Sequence, residues 1–530
     1  MSKLYFLILF IFTSIFSFAQ SWKVYPYKPA GSLISFPTDE GRHTSQPVEW
    51  WYTAGHLTAS PSGKTYSYML TYFYYPASSY GGFRILDITD DATGKFYQDS
   101  KLLRYTSMAT DHLDIQATIT GGDNEYWITK TDVNNKLIPF EYNIQAASSD
   151  AGLQLDYKSL KRPLILADSG YLKEGFSNYT YYYSQTRNDV SGKLTLNGIT
   201  ENVTGTSWID RQYGDFDRLI GEKYEWFFLQ LSNGMDINVA NVFSADNKIP
   251  DNSRYRILSS YVNDSTQYTT SDFKIERLGF NWMPDSQMCY SNKWRLTSDL
   301  NKIDLTFSTK NNNTEVQFPF RFFEGATDIS GTVNGVTVTG FGFAELLHSY
   351  HPPIPAIKYP QSDEYNVKLP ITWQVMNPDD GMPVTYDLSY SLDNKASFKS
   401  IDESISDTFY LWTGANLANS SQIWFKITAH SIDGKLQSSV ISATGLNIFT
   451  DGSQKLVLFP NPVSDYLYFE PAFQTDNPPC RILDVSGHIV RIFTRNSLTD
   501  KIDVSFLAKG IYFFEVDNVK KKASLKFIRK

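Results

Sequence analysis

The feature that most constrains this chain is a series of short aromatic and β-branched runs that end at Asn-Gly. Lys193-Leu194-Thr195-Leu196 stops at Asn197-Gly198. Glu225-Trp226-Phe227-Phe228-Leu229-Gln230-Leu231 stops just before Asn233-Gly234, and Thr332-Val333 meets Asn334-Gly335 before Val336-Thr337-Val338-Thr339. Asn-Gly supplies two consecutive residues that tolerate positive φ, as a two-residue hairpin turn requires. Residues Tyr66 to Tyr75 form a longer aromatic run of the same kind. The chain holds 35 tyrosines, 36 phenylalanines and 11 tryptophans, residues that fit a pleated, half-buried surface better than a helix. No long amphipathic helical pattern interrupts them. The expected fold class is all-β, made of sandwiches or barrels.

A chain of 530 residues has room for about three to four domains. Its 20% charged and 15% aromatic residues exclude wholesale disorder. A net charge of −8 argues against a nucleic-acid partner. At the N-terminus, Lys3, the apolar run Leu4 to Phe16 and Ser17-Phe18-Ala19 read as a signal peptide over residues 1–19. The run is short for a membrane span of about 20 residues, and no later stretch is long enough, so a soluble exported chain without a transmembrane span is expected. Cys289 and Cys480 stand far apart, which excludes a disulfide framework.

Proline density at His351-Pro352-Pro353-Ile354-Pro355 predicts a linker over 351–369. Residues 370–450 then carry a turn at Asp379-Asp380-Gly381 and alternating strands such as Val384 to Ser391. This segment resembles an immunoglobulin or fibronectin III-like sandwich, a module that commonly serves as a spacer. Residues 455–530 contain Pro460-Asn461-Pro462, Asp484-Val485-Ser486-Gly487, Leu507-Ala508-Lys509-Gly510-Ile511-Tyr512 and a basic end from Lys520. They resemble the C-terminal sorting domain of the type IX secretion system of Bacteroidetes. The resemblance implies a small C-terminal β-sandwich that acts as an address read by that secretion machinery, and a secreted or outer-membrane-surface location.

Chemistry is concentrated before residue 350. Among the histidines, none are paired at helical zinc spacing, and no Cys-x-x-Cys, phosphate-cradling or dinucleotide glycine motif or Gly-x-Ser-x-Gly occurs. Neither a metal nor another cofactor is expected. Four aromatic-acid clusters stand out: Glu49-Trp50-Trp51-Tyr52 with Gly55-His56-Leu57; Gly205-Thr206-Ser207-Trp208-Ile209-Asp210-Arg211-Gln212-Tyr213-Gly214; Tyr224-Glu225-Trp226-Phe227; and Phe323-Glu324-Gly325 with Gly340 to Leu346, which includes Glu345. In a strand, Trp208 and Asp210 share one face. A carboxylic acid in an apolar pocket has a raised pKa, because burial disfavours its charged form. Such an acid can protonate an isolated C=C without a cofactor. Aromatic faces then stabilise the resulting carbocation, and water adds to it. Asp210 is the candidate acid, with Trp208 and Tyr213 as its neighbours. Glu49, Trp51, Glu225, Trp226 and Glu345 are candidate pocket residues, and His56 a candidate for orienting water. The structural counterpart is that Asp210 forms a buried salt bridge with Arg211, that Glu49 does likewise with Arg211 or Arg187, and that the clusters are core.

These clusters, in this order, resemble the carotenoid 1,2-hydratase (hydroxyneurosporene synthase) family of lipocalin-like proteins. Phe323 and Phe343 stand where its members often have tyrosine. The resemblance covers about residues 30–350 and implies tandem lipocalin-like β-barrels, 30–218 and 219–350, enclosing an apolar cavity. It also implies that Asp210 is the proton donor. The expected ligand is a small apolar molecule such as a lipid, terpenoid or carotenoid. Two other functions fit the residues: a hydrophobe carrier with no chemistry, and a surface glycan hydrolase whose paired carboxylates would stand about 5–9.5 Å apart.

Overall fold

A computed structural model describes residues 21–530 except 79–80, 120–123, 217, 360–363, 366–367, 377–383, 414–421, 432–436, 443–445, 449–456, 460, 471–478, 495–500 and 519–520. The signal peptide expected at 1–19 and the turn expected at Asp379-Asp380-Gly381 lie outside the described residues. The contacts divide the chain into two compact units, Met1–Tyr350 and His351–Lys530. No α-helix occurs among the described residues.

The first unit begins with twelve strands: β1 Val48–Ser60, β2 Thr65–Tyr74, β3 Gly82–Asp90, β4 Lys95–Met108, β5 Asp114–Ile119, β6 Asn124–Thr131, β7 Leu137–Ala147, β8 Ala151–Ser159, β9 Leu164–Ile165, β10 Tyr171–Glu174, β11 Asn178–Leu196 and β12 Ile199–Asp215. Strands β11-β12-β1-β2-β3-β4-β5-β6-β7-β8 form a ring that closes where β8 pairs with β11. The length of β11 makes this closure work. Its second half, Asn188–Leu196, pairs with β8, its first half takes β9 and β10, and an irregularity between Gln185 and Asn188 turns one half from the other. The Asn197-Gly198 turn between β11 and β12 has φ of 49° and 78°, as a mirror-image hairpin turn demands.

Ten further strands follow: β13 Lys223–Leu231, β14 Asp236–Phe243, β15 Arg256–Asn263, β16 Thr266–Thr270, β17 Lys274–Trp282, β18 Cys289–Ser298, β19 Ile303–Thr309, β20 Glu315–Val316, β21 Phe322–Val333 and β22 Val336–Leu346. They make one antiparallel sheet ordered β16-β15-β14-β13-β22-β21-β19-β18-β17, with β20 beside β21. This second sheet is a half-barrel rather than a second closed ring. Its inner face is filled by Phe227, Leu229, Trp294 and Phe307.

The inside of the ring is filled too, by Trp51, Leu57, Tyr68, Tyr72, Trp127 and their neighbours. Alternate residues of β1 therefore serve two different cores. Trp51 and Leu57 point into the ring, whereas Tyr52 and Ala54 join Met69, Phe83 and Trp208 on its outer face. There they pack against Trp226, Phe228, Phe322 and Phe343 of the second sheet. Trp208 stacks on Phe228 with ring centres 4.9 Å apart. The expected enclosure of a cavity by barrels is thus corrected. The ring interior is packed, and the layer that holds Trp208 and Asp210 lies between the two sheets.

The glycines of the central motif have a steric role in this arrangement. A Cβ on Gly205 would stand 1.8 Å from the His56 carbonyl oxygen and 3.0 Å from Leu57 Cα, so β1 and β12 would be forced apart. Gly205→Ala is expected to destabilise the first unit by about 1–3 kcal/mol. A thermal melt of the exported chain checks this.

In the second unit, Ile354–Tyr359, Lys368–Met376 and Phe409–Thr413 form one sheet. Strands that include Thr385–Ser391, Lys399–Ile405 and Gln422–His430 form another. Ile371, Trp373, Leu388, Phe425 and Ile427 lie in their shared core, as in a sandwich. The predicted linker is partly a strand, since Ile354–Tyr359 pairs with Lys368–Met376. That strand is at a sheet edge, where Pro355 is tolerated because one side of the backbone needs no partner. The C-terminal segment has two small sheets around Leu467, Ile482, Phe514 and Phe527. Cys289 and Cys480 are both buried.

Candidate active site

A cavity of about 420 Å³ lies between the outer face of the ring and the second sheet. Its walls follow the period of two. Val48, Trp50 and Tyr52 come from β1, Met69, Thr71 and Phe73 from β2, Asp210 and Gln212 from β12, and Tyr224 and Trp226 from β13. The volume falls in the range of about 300–1,000 Å³ usual for small-molecule sites.

Asp210 is 3% exposed and stands opposite Tyr52 on β1 and Ser184 on β11. Ser184 Oγ donates to its Oδ1 at 2.5 Å, Trp208 Nε1 to the same oxygen at 2.6 Å, and Tyr182 Oη to Oδ2 at 2.5 Å. Burial pushes its pKa up to about 7, against the lowering effect of these three hydrogen bonds and with a further push from Glu345. Asn238 on β14 donates to the Tyr182 hydroxyl at 2.8 Å and accepts from Trp226 Nε1 at 3.2 Å. It ties the acid on the ring to the facing sheet.

A second acidic group faces the cavity from the other side. Glu345 lies opposite Trp226 and Glu324 in the register. It accepts a hydrogen bond from the Tyr224 hydroxyl, and Glu324 accepts one from Tyr52 at 2.8 Å. Burial raises both carboxyls, and the negative charge of Glu345 holds Glu324 well above the ordinary range. Two carboxyls placed so close cannot both ionise cheaply. A third acid on the wall, Glu174, is pushed up to about 7 by burial and by Glu222.

The residues predicted from sequence divide into three groups. Asp210, Trp226 and Glu345 are on the cavity wall, and Trp208 stands directly behind Asp210. Glu49, Trp51 and Tyr213 belong to a polar cluster on the opposite face of the same strands, because they are odd-numbered partners in the β1–β12 register. There Glu49 is paired with Arg211, whose guanidinium lies 3.8 Å over the Trp51 ring, while Tyr213 stacks on His43 and donates to Asp39 at 2.5 Å. Burial alone would raise the Glu49 carboxyl, but Arg211 and His43 outweigh it and hold it below its usual value. Glu225 points into the second sheet, where it pairs with Arg277 and accepts from Asn241 at 2.7 Å. His56 packs against Phe341 with centres 4.5 Å apart and is kept neutral, at about 4, by burial and by Lys310. None of these last five lines the cavity.

Sequence reasoning did not single out Glu174, Tyr182, Asn238 or Glu324 as site residues. Tyr182 sits in the run Tyr179 to Ser184 of β11, on the face turned toward Ile257 and Tyr261 of the second sheet. That face is dry, because the second sheet covers it.

Two antiparallel sheets packed over an internal cavity with buried acids define a lipocalin-like β protein. The chain belongs to the AttH-like family, which matches residues 27–350. Residues 457–530 match a secretion system C-terminal sorting domain, and the chain is exported by type IX secretion to the cell surface or the extracellular space. No helix of the described residues is long and apolar enough to cross a membrane. Among solved structures, a protein of Nitrosomonas europaea assigned as AttH superposes with a TM-score of 0.51 at 20% identity, over 61% of this chain and 99% of that one. Kievitone hydratase of Nectria haematococca aligns with a TM-score of 0.48 at 15% identity, over 61% and 98%. No curated protein matches the chain in sequence.

Proposed function

We propose that this exported AttH-like protein binds an apolar, unsaturated small molecule between its sheets and adds water across a C=C bond. The observation that carries the reading is the position of Asp210: a buried carboxyl, raised to about 7, on the wall of an aromatic cavity. Asp210 gives its proton to one alkene carbon. The carbocation left on the other carbon lies among aromatic faces such as Tyr52 and Trp226, which meet edge to face at 5.5 Å. Water then forms the new C–O bond, and its surplus proton passes to Glu345 acting as base. Glu345 returns that proton to Asp210 through solvent. The pairing of one neutral and one ionised carboxyl in a shared cavity is the arrangement that separates acid from base.

The test is incubation of the exported protein with terpenoid, carotenoid and unsaturated fatty alcohol panels in ¹⁸O-water, followed by mass spectrometry. A product heavier by one labelled water supports hydration. Bound but unchanged compound, across the whole panel, would reduce the reading to a hydrophobe carrier. The donor must be protonated and the base ionised, so kcat is expected to fall roughly tenfold per pH unit above about pH 7 and to fall again in acid, where Glu345 takes up a proton. A profile that rises through pH 7 contradicts Asp210 as the acid.

A further inference from the structure

We infer that the cavity between the sheets is a receptor for an organic cation, a protonated or quaternary amine carried on an apolar skeleton. This rests on the reading of the cavity as a ligand site, but not on the hydration step. Ten of the lining residues are aromatic, four are carboxylic acids, and one, Lys223, is a cation. The aromatic rings already meet in pairs around the space: Tyr52 with Trp226 at 5.5 Å, Trp50 with Phe73 at 5.6 Å. Ring faces attract a positive charge through their quadrupoles, and the attraction grows when the charge is shielded from water. The charged groups that face the cavity are Glu174 from β10, Asp210 from β12, Glu222 and Lys223 at the start of β13, and Glu345 from β22, with Glu324 behind Glu345.

Each class of occupant meets these walls differently. A neutral hydrophobe satisfies the rings and leaves the acids without a counter-charge. An anion must lie among four carboxyl groups, with Lys223 alone to offset them. A cation satisfies rings and acids together. It also places a positive charge where burial now keeps Asp210 and Glu174 partly protonated near neutral pH. Binding a cation therefore expels protons, by the same linkage that ties any charge to a neighbouring titration. An amine occupant would resemble the carbocation of the proposed reaction in charge and surroundings.

The experiment uses three probes of similar shape: benzyltrimethylammonium, its neutral carbon isostere neopentylbenzene, and 3-phenylpropionate. Affinities are measured on the exported chain by tryptophan fluorescence at pH 8 and pH 5.5. Calorimetry at pH 6.5 in two buffers of different ionisation heat counts the protons released. The ammonium is expected to bind at least about tenfold more tightly than neopentylbenzene at pH 8, with the propionate weakest. The ratio should shrink at pH 5.5, and ammonium binding should release protons. Glu345→Gln should cut the ratio by weakening ammonium binding more than neopentylbenzene binding. Equal or tighter binding of neopentylbenzene, without proton release, overturns the inference and leaves the apolar-ligand reading standing. If none of the three probes binds and no terpenoid does, both readings fall.

Discussion

Asp210→Asn is expected to lower turnover about 10²–10⁴-fold, the usual contribution of a positioned proton donor, while ligand affinity stays within a few-fold. Asparagine keeps the shape and still accepts from Trp208 and Ser184, but it has no acidic proton to give. Single-turnover kinetics on a hydrated substrate, beside a binding isotherm for the same compound, separate the two quantities. Equal turnover in variant and parent would remove Asp210 from the chemistry. The same variant has a stability signature with a defined sign. The folded-state pKa of Asp210, about 7, lies above the unfolded value of about 3.9. The folded chain therefore binds more protons between these limits, and the parent loses stability as pH rises from about 4 to about 7. The side-chain amide of the variant cannot ionise, so Asp210→Asn should melt above the parent at pH 8 and level with it near pH 4. A catalytic acid held in an apolar wall is a stability cost that appears at alkaline pH.

The largest structural effect is expected from Arg211→Met. Arg211 is 1% exposed, is paired with the fully buried Glu49, donates to the Gly41 carbonyl at 2.6 Å and covers Trp51. Removing it leaves the buried Glu49 carboxylate without its guanidinium, with His43 as its remaining partner. Breaking a buried pair in this way costs about 3–5 kcal/mol, or a fall in Tm of roughly 5–15 °C. The double variant Glu49→Gln/Arg211→Met removes both charges and should recover much of that loss. Calorimetry of the exported chain would show it. A single variant that melts with the parent would mean that the pair is not the clamp described.

Strands and turns were readable because both depend on short-range pattern. Asn-Gly marks a turn whatever surrounds it, and Trp208 and Asp210 must share a face wherever the strand lies. The side on which that face sits was not readable. Period-two alternation distinguishes two faces but does not say which one is inside, and in β1 and β12 both are buried, one in the ring and one against the second sheet. Hence Glu49, Trp51 and Tyr213 were grouped with Asp210 although they project the other way. Tyr182 and Asn238 were missed because only pairing between distant strands brings them to the acid. The one available sign was the unbroken aromatic-polar run from Tyr179 to Ser184, which lacks the clean alternation of a solvent-facing strand. The family resemblance supplied the order of the motifs and the lipocalin-like architecture, but not the location of the cavity.

Because the cavity is a seam between sheets, each wall strand carries two independent inscriptions. Along β1, one set of alternate side chains maintains the closed ring, and the interleaved set shapes the seam. A lineage of such proteins can rewrite the second set, residue by residue, without disturbing the first. New occupants would then arise from changes at every other position of strands that otherwise stay constant.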